Sequence, residues 1–204
     1  MTEAPRADSA QAEAFIDAAY QRLLEGGVDA VKVASVSEAI SLTRTAFYWH
    51  FKDREALLDA LLARWEAKNT GNLIARTEAF AASANEAVLN VFDAWLLPEI
   101  FDARFDFAVR TWAHSDPTVR EKVQANDAMR LDALTRMFSR FGYNGLAAET
   151  RARALYYTQI GYISMMVIET TDVRLERMPS YVETYTGKPL SDGEWARFLA
   201  RHTA

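Results

Sequence analysis

The chain has 204 residues, 50% of them hydrophobic, which is enough for one or two sizeable apolar cores. Disulfide bonds and thiol chemistry are excluded because there is no cysteine, and no segment approaches the roughly 18 uninterrupted apolar residues of a transmembrane helix. The net charge of −5 excludes a uniformly basic protein, and the start MTEAPRADSAQ lacks the apolar run of a secretory signal, so we expect a cytoplasmic protein with no membrane partner.

The first predicted helix follows a polar segment, Met1 to Ala10, which we expect to be a frayed tail. Its apolar stripe recurs at helical spacing and consists of Ala12, Phe15, Ile16, Ala19 and Leu23. Gly26 and Gly27 predict its C-terminal end, because glycine readily adopts the left-handed backbone that closes many helices.

A short second helix is predicted from an apolar stripe of Val33, Val36 and Ile40, with Ser35, Ser37 and Glu38 pointing away from it. Where this helix begins is left open, because a capping box of Ser35 and Glu38 would shorten it.

A third helix, from Arg44 to about His50, is predicted after Ser41-Leu42-Thr43, with Thr43 as its N-cap. At about 100° per residue, two faces separate, one with Ala46, Phe47 and His50 and the other with Arg44, Thr45, Tyr48 and Trp49. The second face offers a guanidinium, a hydroxyl, a phenol and an indole. These groups suit the base edges and phosphates of DNA.

The stretch from Val33 to Leu58 resembles the helix-turn-helix of the tetracycline-repressor (TetR) family of transcription regulators. The words FYWHF and KDREALL carry the resemblance, and FIDAAYQRLLEGG upstream resembles the family's first helix. The family usually has Gly-Val-Ser in the turn, where this chain has Ser41-Leu42-Thr43, and Thr or Ser at the start of the second helix, where this chain has Lys32. The resemblance covers roughly the first third of the chain. It implies a homodimeric repressor that binds a palindromic double-stranded DNA operator and is released by a small-molecule effector.

The exposed face and the resemblance together identify the candidate DNA-binding residues: Thr43, Arg44, Thr45, Tyr48, Trp49, His50, Lys52 and Arg54. Arg44 can donate two hydrogen bonds to guanine, and the resemblance implies a phosphate contact for Tyr48. Two alternatives stay open, because Trp49 could cover the first helix and His50 could pack inward. Lys52 could be only solvated, whereas Arg54 stands in the first turn of the next helix, where the helix dipole favours an anion.

The local charge supports this assignment better than the total does. Between Lys32 and Arg54 there are four cations and two acidic residues, which is a local net charge of +2.

The fourth helix is predicted to begin after Asp53 and to lose its apolar pattern near Lys68-Asn69-Thr70-Gly71. We therefore predict an all-α fold with a helix-turn-helix DNA-binding domain, residues 1–68, and a helical ligand-sensing and dimerisation domain, residues 69–204. The caps and breaks predict six more helices: one from Ser83 to Pro98, one beginning at Pro98, one from Asp116-Pro117 to Phe141, one over about Ala147 to Thr170, one around Pro179 to Thr186, and one opened by Ser191 and Glu194.

The second domain is rich in aromatic residues and methionine, and its candidate ligand-binding residues are Phe92, Trp95, Phe105, Arg110, Trp112, Asn126, Met129, Tyr156 and Gln159. Such residues at helical spacing also suit an ordinary core, so this alternative stays open. A dimer surface is expected from the apolar run Tyr162 to Ile168 and from Leu175, Met178, Tyr181 and Val182.

No catalytic constellation is present, because His50, His114 and His202 lack metal-ligand spacing and no phosphate loop or nucleophile motif occurs. We expect no enzyme activity, no metal and no cofactor. Two rival hypotheses stay open: a helix-turn-helix regulator controlled by a protein partner, and a helical-bundle enzyme acting on an apolar substrate.

Overall fold

The computed structural model describes residues 4–202, which form eleven α-helices and two short helical turns. The helices are α1 (Ala4–Gly26), α2 (Val33–Ala39), α3 (Arg44–His50), α4 (Arg54–Trp65), α5 (Asn72–Glu78), α6 (Ala84–Leu96), α7 (Ala103–Ala113), α8 (Pro117–Arg140), α9 (Leu146–Ser164), α10 (Thr171–Thr186) and α11 (Asp192–Leu199). A 3-10 turn (Val28–Ala30) follows α1, and a π-helical turn (Glu66–Gly71) follows α4. The predicted all-α fold is confirmed. Each of these helices is too short or too polar to cross a lipid bilayer.

The chain divides into two compact units. The first contains the described residues up to Ala67 together with Arg104–Val123, and the second contains Lys68–Ala103 and the described residues from Gln124 onward. The predicted boundary at residue 68 lies beside this division, but Arg104–Val123 was predicted for the other domain. Its place in the first unit has a physical reason: Phe105, Val109 and Trp112 are buried in the same hydrophobic core as α1 and α4.

The core of the first unit is built from the apolar stripes predicted for the first and fourth helices. Phe15, Leu23, Leu57 and Leu61 are all buried in it. At its edge, Arg64 of α4 forms ion pairs with Glu13 and Asp17 of α1. Buried area fixes how these helices pack, and exposed ion pairs add only a small contribution.

A buried carboxylate links α4 to α7 within the first unit. Asp106 is fully buried, accepts a hydrogen bond from Trp65 Nε1 at 3.0 Å and accepts another from Arg110 Nε at 2.7 Å. A buried charge is tolerated only when it is paired in this way, so Arg110 has its polar partner inside the protein.

Helix α6 is the central helix of the second unit. Eleven of its thirteen residues are buried, which is typical of a helix surrounded by others rather than of a surface helix. It packs against α5, α10 and α11.

A ladder of polar contacts joins α11 to α6. Glu194 accepts from Ser83 Oγ, Arg197 Nε donates to Glu86 at 2.9 Å, Arg201 Nη1 donates to Asn90 at 3.0 Å, and His202 Nε2 lies 2.7 Å from Asp93. Because the residue number rises together on both sides of the ladder, α11 lies parallel to α6. The predicted capping box is present, with Ser191 N donating to Glu194 at 2.9 Å and Glu194 N donating to Ser191 Oγ at 3.3 Å.

Several predicted helix ends are wrong. Helix α1 already begins at Ala4, so residues 4–10 are helical instead of forming a tail, and residues 1–3 lie outside the described residues. The segment around Gly71 continues helically through the π-helical turn into α5. The helix expected at Pro98 begins only at Ala103, after a turn in which Ile100 N bonds to Leu97 O at 2.9 Å.

Near the C-terminal end of the chain, α9 ends at Ser164 rather than Thr170, and Met166 adopts a left-handed φ of 52° directly after it. Helix α10 begins at Thr171 because the Thr170 hydroxyl caps it, accepting from Val173 N at 3.4 Å. Pro179, predicted to start this helix, lies inside it.

The contact between α11 and α6 predicts an acid-sensitive stability. Burial raises the pKa of Glu194, but hydrogen bonds from Ser83, Ser191 and Asn85 outweigh it and lower the pKa from 4.5 to about 2. Since the folded-state pKa is depressed, this carboxylate stabilises the fold above pH 4.5, and the contribution is lost as the pH falls from 4.5 toward 2. In urea unfolding followed by circular dichroism, Glu194→Gln should be less stable than the unmutated protein near neutral pH.

The same variant should lose less stability than the unmutated protein across that acid window. Glu183→Gln is the matched control, because Glu183 is an exposed carboxylate of α10 whose side chain forms no hydrogen bond or ion pair in the described part of the chain. Equal acid sensitivity in all three proteins would contradict the role given to Glu194.

Candidate nucleic-acid interface

Three aromatic rings seat α3 on α1. Phe47 is fully buried, meets the Phe15 ring edge-on with centroids 5.4 Å apart, and stacks on the Phe51 ring at the same centroid distance. Edge-to-face and offset-stacked rings have preferred geometries, so this contact sets the rotation of α3 about its axis. The side of α3 opposite Phe47 therefore faces away from the core of the unit.

The exposed face of α3 consists of Arg44, Thr45, Tyr48 and Trp49, as the spacing predicted. Tyr48 is 57% and Trp49 83% exposed, so Trp49 does not cover the first helix. Arg44 makes no ion pair or side-chain hydrogen bond within residues 4–202. An exposed indole and an unengaged guanidinium leave this face available for a ligand, and their contacts with DNA stay a prediction.

The turn before α3 is closed by hydrogen bonds. Leu42 N donates to Ser37 O at 2.9 Å, and the Thr43 hydroxyl caps α3 by accepting from Ala46 N at 3.1 Å, which confirms the predicted cap. Ser41 has a φ of 56°, in the left-handed region that favours glycine. A residue with a side chain is strained in this conformation by about 1 kcal/mol or more. Ser41 stands where the family usually has glycine.

The structure of α2 resolves one open alternative and differs from the prediction in one detail. Ser35 Oγ accepts from Lys32 N at 3.1 Å, so α2 begins at Val33 and the open alternative of a shortened helix is excluded. Ser37, predicted to point away from the apolar stripe, is buried because its turn of α2 faces the core.

His50 and Lys52 flank the exposed face differently. His50 Nε2 lies 3.1 Å from Gln11 Oε1, and the imidazole is 6.0 Å from the Phe15 ring, so His50 helps to hold α3 against α1. The Lys52 side chain is 89% exposed, with its ammonium 3.6 Å from Asp53. Of these two residues, Lys52 is the one with an accessible charge.

Arg54 binds the protein's own backbone. Its Nε donates to Val31 O at 2.6 Å, its Nη2 donates to Val28 O at 2.8 Å, and its Nη1 donates to Glu55 at 3.0 Å. The guanidinium thereby connects the first turn of α4 to the 3-10 turn after α1. The sequence predicts that Arg54 binds a phosphate, whereas in the structure most of its donors bind backbone carbonyls of the protein.

The nine predicted ligand-binding residues are not brought together in one place. Phe105, Arg110 and Trp112 lie in the first unit, where Phe105 and Trp112 are core residues and the Phe105 ring is 5.1 Å from that of Tyr20. Arg110 is engaged by Asp106.

The other six predicted residues lie in the second unit. Asn126 is buried and Met129 is 40% exposed. Tyr156 is bonded internally, since its hydroxyl donates to Asp127 at 2.6 Å and accepts from Arg130 at 3.0 Å. Only Phe92, Trp95 and Gln159 line a cleft, which lies between α6, α9 and α10.

Sequence reasoning missed the α10 side of this cleft. Arg174, Arg177, Met178, Tyr181 and Tyr185 line it. Their spacing places them on one helical face, and this signal was available. Met178 and Tyr181 were instead predicted for a dimer surface, and Arg174, Arg177 and Tyr185 were not predicted for any site.

These features define a helix-turn-helix protein: two short helices joined by a tight turn, with the second one packed through Phe47 and exposed on its other side. Residues 15–61 match the family model of bacterial regulatory proteins of the tetR family. The predicted resemblance is therefore confirmed in this segment.

Curated relatives match part of the chain. The class A tetracycline repressor from transposon 1721 of Escherichia coli is 35% identical over 68 residues, which are 33% of this chain and 32% of that protein. The class D tetracycline repressor of Escherichia coli is 39% identical over 49 residues, 24% of this chain and 22% of that protein. The chain thus spans about a third or less of the length of the curated relatives it matches.

Solved structures extend the likeness to the whole fold. A protein assigned to the TetR family of transcriptional regulators from Mesorhizobium loti has a TM-score of 0.61 at 13% identity, covering 95% of this chain and 97% of that one. Another from a Rhodococcus species has a TM-score of 0.63 at 18% identity, covering 87% and 99%. The family match is confined to residues 15–61, and the chain has the fold of these two solved structures.

The contacts of Arg54 predict a role in stability. Arg54→Ala should lower the free energy of unfolding by about 2 kcal/mol, because the partly buried carbonyls of Val28 and Val31 lose charged hydrogen-bond donors. Lys52→Ala, which removes an exposed cation two residues away, should change it by less than about 0.5 kcal/mol. Urea titration without DNA measures both values. Equal stability of the two variants would show that the Arg54 contacts contribute nothing to the fold.

Proposed function

We propose that this protein is a DNA-binding transcription regulator that reads an operator with the exposed face of α3. The observation that carries the proposal is the seating of Phe47, which leaves Arg44, Thr45 and Tyr48 exposed on a helix of fixed orientation. A rigid helix with exposed donors is what the major groove of DNA accommodates. The family match over residues 15–61 supports the same function.

The proposed interface divides base reading from phosphate binding. Arg44, at the start of α3, is placed to donate two hydrogen bonds to a guanine edge, and Thr45 and Trp49 adjoin it on the same face. Tyr48 and Lys52 bind phosphates, which hold the helix in register without reading sequence. His50 and Arg54 are mainly structural, because their polar atoms already contact the protein.

A symmetric dimer is the proposed binding form. Met165 is 75% and Ile168 97% exposed, within an exposed apolar run, Met165–Ile168, after α9. An apolar run of this kind is costly in water and suits an interface between copies. Met178 and Val182, which the sequence assigned to the dimer surface, are instead buried inside the second unit, because their face of α10 points inward.

Regulation is proposed to act through a small effector that binds the second unit and lowers the affinity for the operator, so that the protein is a repressor. Such an effector must bind the DNA-free conformation more tightly than the DNA-bound one. By reciprocity, DNA must weaken the effector by the same factor, which for a coupling of about 1–3 kcal/mol is roughly 5- to 150-fold.

Two variants should separate base reading from phosphate binding. Arg44→Ala should relax specificity at one base pair of the operator, at a cost of about 1–3 kcal/mol, because a guanine loses its paired donors. Lys52→Ala should weaken binding to every sequence alike and lower the slope of log affinity against log salt by about 1. Fluorescence anisotropy on DNA flanking the gene, at several salt concentrations, measures both effects. If Arg44→Ala leaves specificity intact, α3 is not the reading helix.

The dimer proposal predicts an effect of charge at the exposed apolar run. Ile168→Glu should weaken dimerisation at least tenfold and reduce the affinity for a palindrome with half-sites about 34–36 Å apart, because a carboxylate would be buried between two copies. Phe80→Glu is the matched control, since Phe80 is 90% exposed and lies outside α9, α10 and their connection. Sedimentation velocity at micromolar concentration gives the oligomeric state. An unmutated monomer, or an Ile168→Glu dimer of unchanged affinity, would refute the assignment.

A further inference from the structure

The cleft between α6, α9 and α10 has an apolar floor and a polar rim. Its floor is formed by the buried side chains of Phe92, Trp95, Leu155 and Met178. The polar side chains around it belong to Gln159, Tyr162, Arg174, Arg177 and Tyr181. Among the described residues that line the cleft there are two arginines and no acidic residue, so the site carries positive charge beside apolar surface.

Arg174 is a half-buried cation that forms no ion pair among the described residues, although the Glu169 carboxylate is near enough to favour its charge. Its Nη1 donates to the backbone oxygen of Trp95 at 3.0 Å, and within residues 4–202 no acidic side chain lies within ion-pair distance of it. Burial lowers the pKa of Arg174, because the surroundings disfavour the charge. A bound anion would offset this unfavourable desolvation.

Trp95 supplies a buried hydrogen-bond donor that has no acceptor. The indole is 6% exposed, and its Nε1 is buried with no hydrogen-bond partner among the described residues. Buried N–H groups are nearly always paired, so an unpaired one on a residue that lines a cleft indicates where a ligand oxygen could bind. Arg174 and Trp95 line the same cleft, where Arg174 supplies a positive charge and Trp95 supplies an unpaired donor.

One arginine at the rim, Arg177, already binds a carboxylate of this chain, which is the contact that a ligand carboxylate would make. Arg177 donates to Glu169, a residue of this chain that does not line the cleft, and the Arg177 side chain is 52% exposed. The hydroxyls of Tyr162 and Tyr181 lie 3.0 Å apart beside it. These exposed and half-buried groups can move aside, whereas the floor is packed into the unit.

Size limits the ligand. The free space in the cleft is about 30 Å³, room for roughly two water molecules, so a larger ligand binds only if rim side chains move aside. A small planar ring could enter by displacing rim side chains. It would contact aromatic walls that include Phe92 and Trp95, whose rings are 5.6 Å apart in an edge-on arrangement.

We propose that this cleft binds a small aromatic carboxylic acid, with its carboxylate on Arg174 and Trp95 Nε1 and its ring on the floor of the cleft. The assignment rests on the proposed sensing function and gives that function a ligand class. The carboxylate supplies a counter-ion for Arg174 and an acceptor oxygen for Trp95 Nε1, and the ring matches the apolar floor.

Isothermal titration calorimetry of the full chain with benzoate and phenylacetate, against benzamide and benzyl alcohol, tests the proposal. The acids should bind saturably and at least tenfold more tightly than the neutral compounds. Arg174→Gln should weaken the acids at least tenfold and leave the neutral compounds unchanged, and Trp95→Phe, which removes the N–H and keeps an aromatic ring, should weaken the acids about fivefold.

Arg153→Gln is the matched control, because Arg153 lies on the exposed side of α9 and pairs with Glu149 and Tyr157 rather than lining the cleft. It should bind the acids as the unmutated protein does. Circular dichroism melting reports whether each variant folds. If Arg174→Gln does not fold, Arg174→Lys, which keeps the charge but loses the fork, should retain a weakened preference for acids.

Three results would overturn the proposal: no saturable binding of either acid, benzamide binding as tightly as benzoate, or full acid affinity in a folded Arg174→Gln or Trp95→Phe protein. Operator binding, measured separately by anisotropy, distinguishes this failure from failure of the proposed function. A protein that binds DNA but no acid refutes only the ligand class. A protein that binds acids through Arg174 but no DNA refutes the regulator and leaves the binding site standing.

Discussion

The packing of Phe47 between Phe15 and Phe51 is the contact on which the candidate interface depends. A seven-residue helix such as α3 has little stability of its own, so it exists because its buried face joins a larger core. The same contact determines which side chains remain exposed, because turning the helix would bury Tyr48 or Trp49 and expose Phe47. The Phe47 ring therefore both stabilises α3 and determines which of its side chains can reach a ligand. The Thr43 cap and the His50 contact with Gln11 support the same orientation of α3.

The availability of a cation to an external anion depends on what already surrounds it. Arg54 was a candidate interface residue, yet its donors are directed to backbone carbonyls, and Arg64 at the other end of α4 pairs with acidic residues of α1. Arg44 and Lys52 have fewer internal contacts and remain accessible. This explains how a chain of net charge −5 can present a basic face, because what matters is where its unengaged cations lie.

Buried polar groups in the second unit are of two kinds. Tyr156 and Glu194 have their hydrogen bonds satisfied within the protein, so they stabilise the packing of helices. Trp95 Nε1 lacks an acceptor and Arg174 lacks a carboxylate, and both occur at the cleft. An unsatisfied buried donor costs free energy in the absence of a ligand, so the Trp95 indole beside a half-buried cation is more informative than the aromatic content of this half of the chain.

The sequence by itself determined the features that depend on residues within about four positions of one another: the apolar stripes of α1 and α4, the cap at Thr43, the capping box of Ser191 and Glu194, and the two faces of α3. Helix periodicity and capping are local, so their patterns can be recognised in a single sequence.

Only the tertiary structure decided that Arg104–Val123 joins the first unit, that Arg54 binds carbonyls 23 and 26 residues before it, and that Arg174 meets Trp95 across 79 positions. These contacts depend on which helices become neighbours. Apolar faces of similar composition can pack in many arrangements, and the choice among them is made by the shape and buried area of the whole unit rather than by any local pattern.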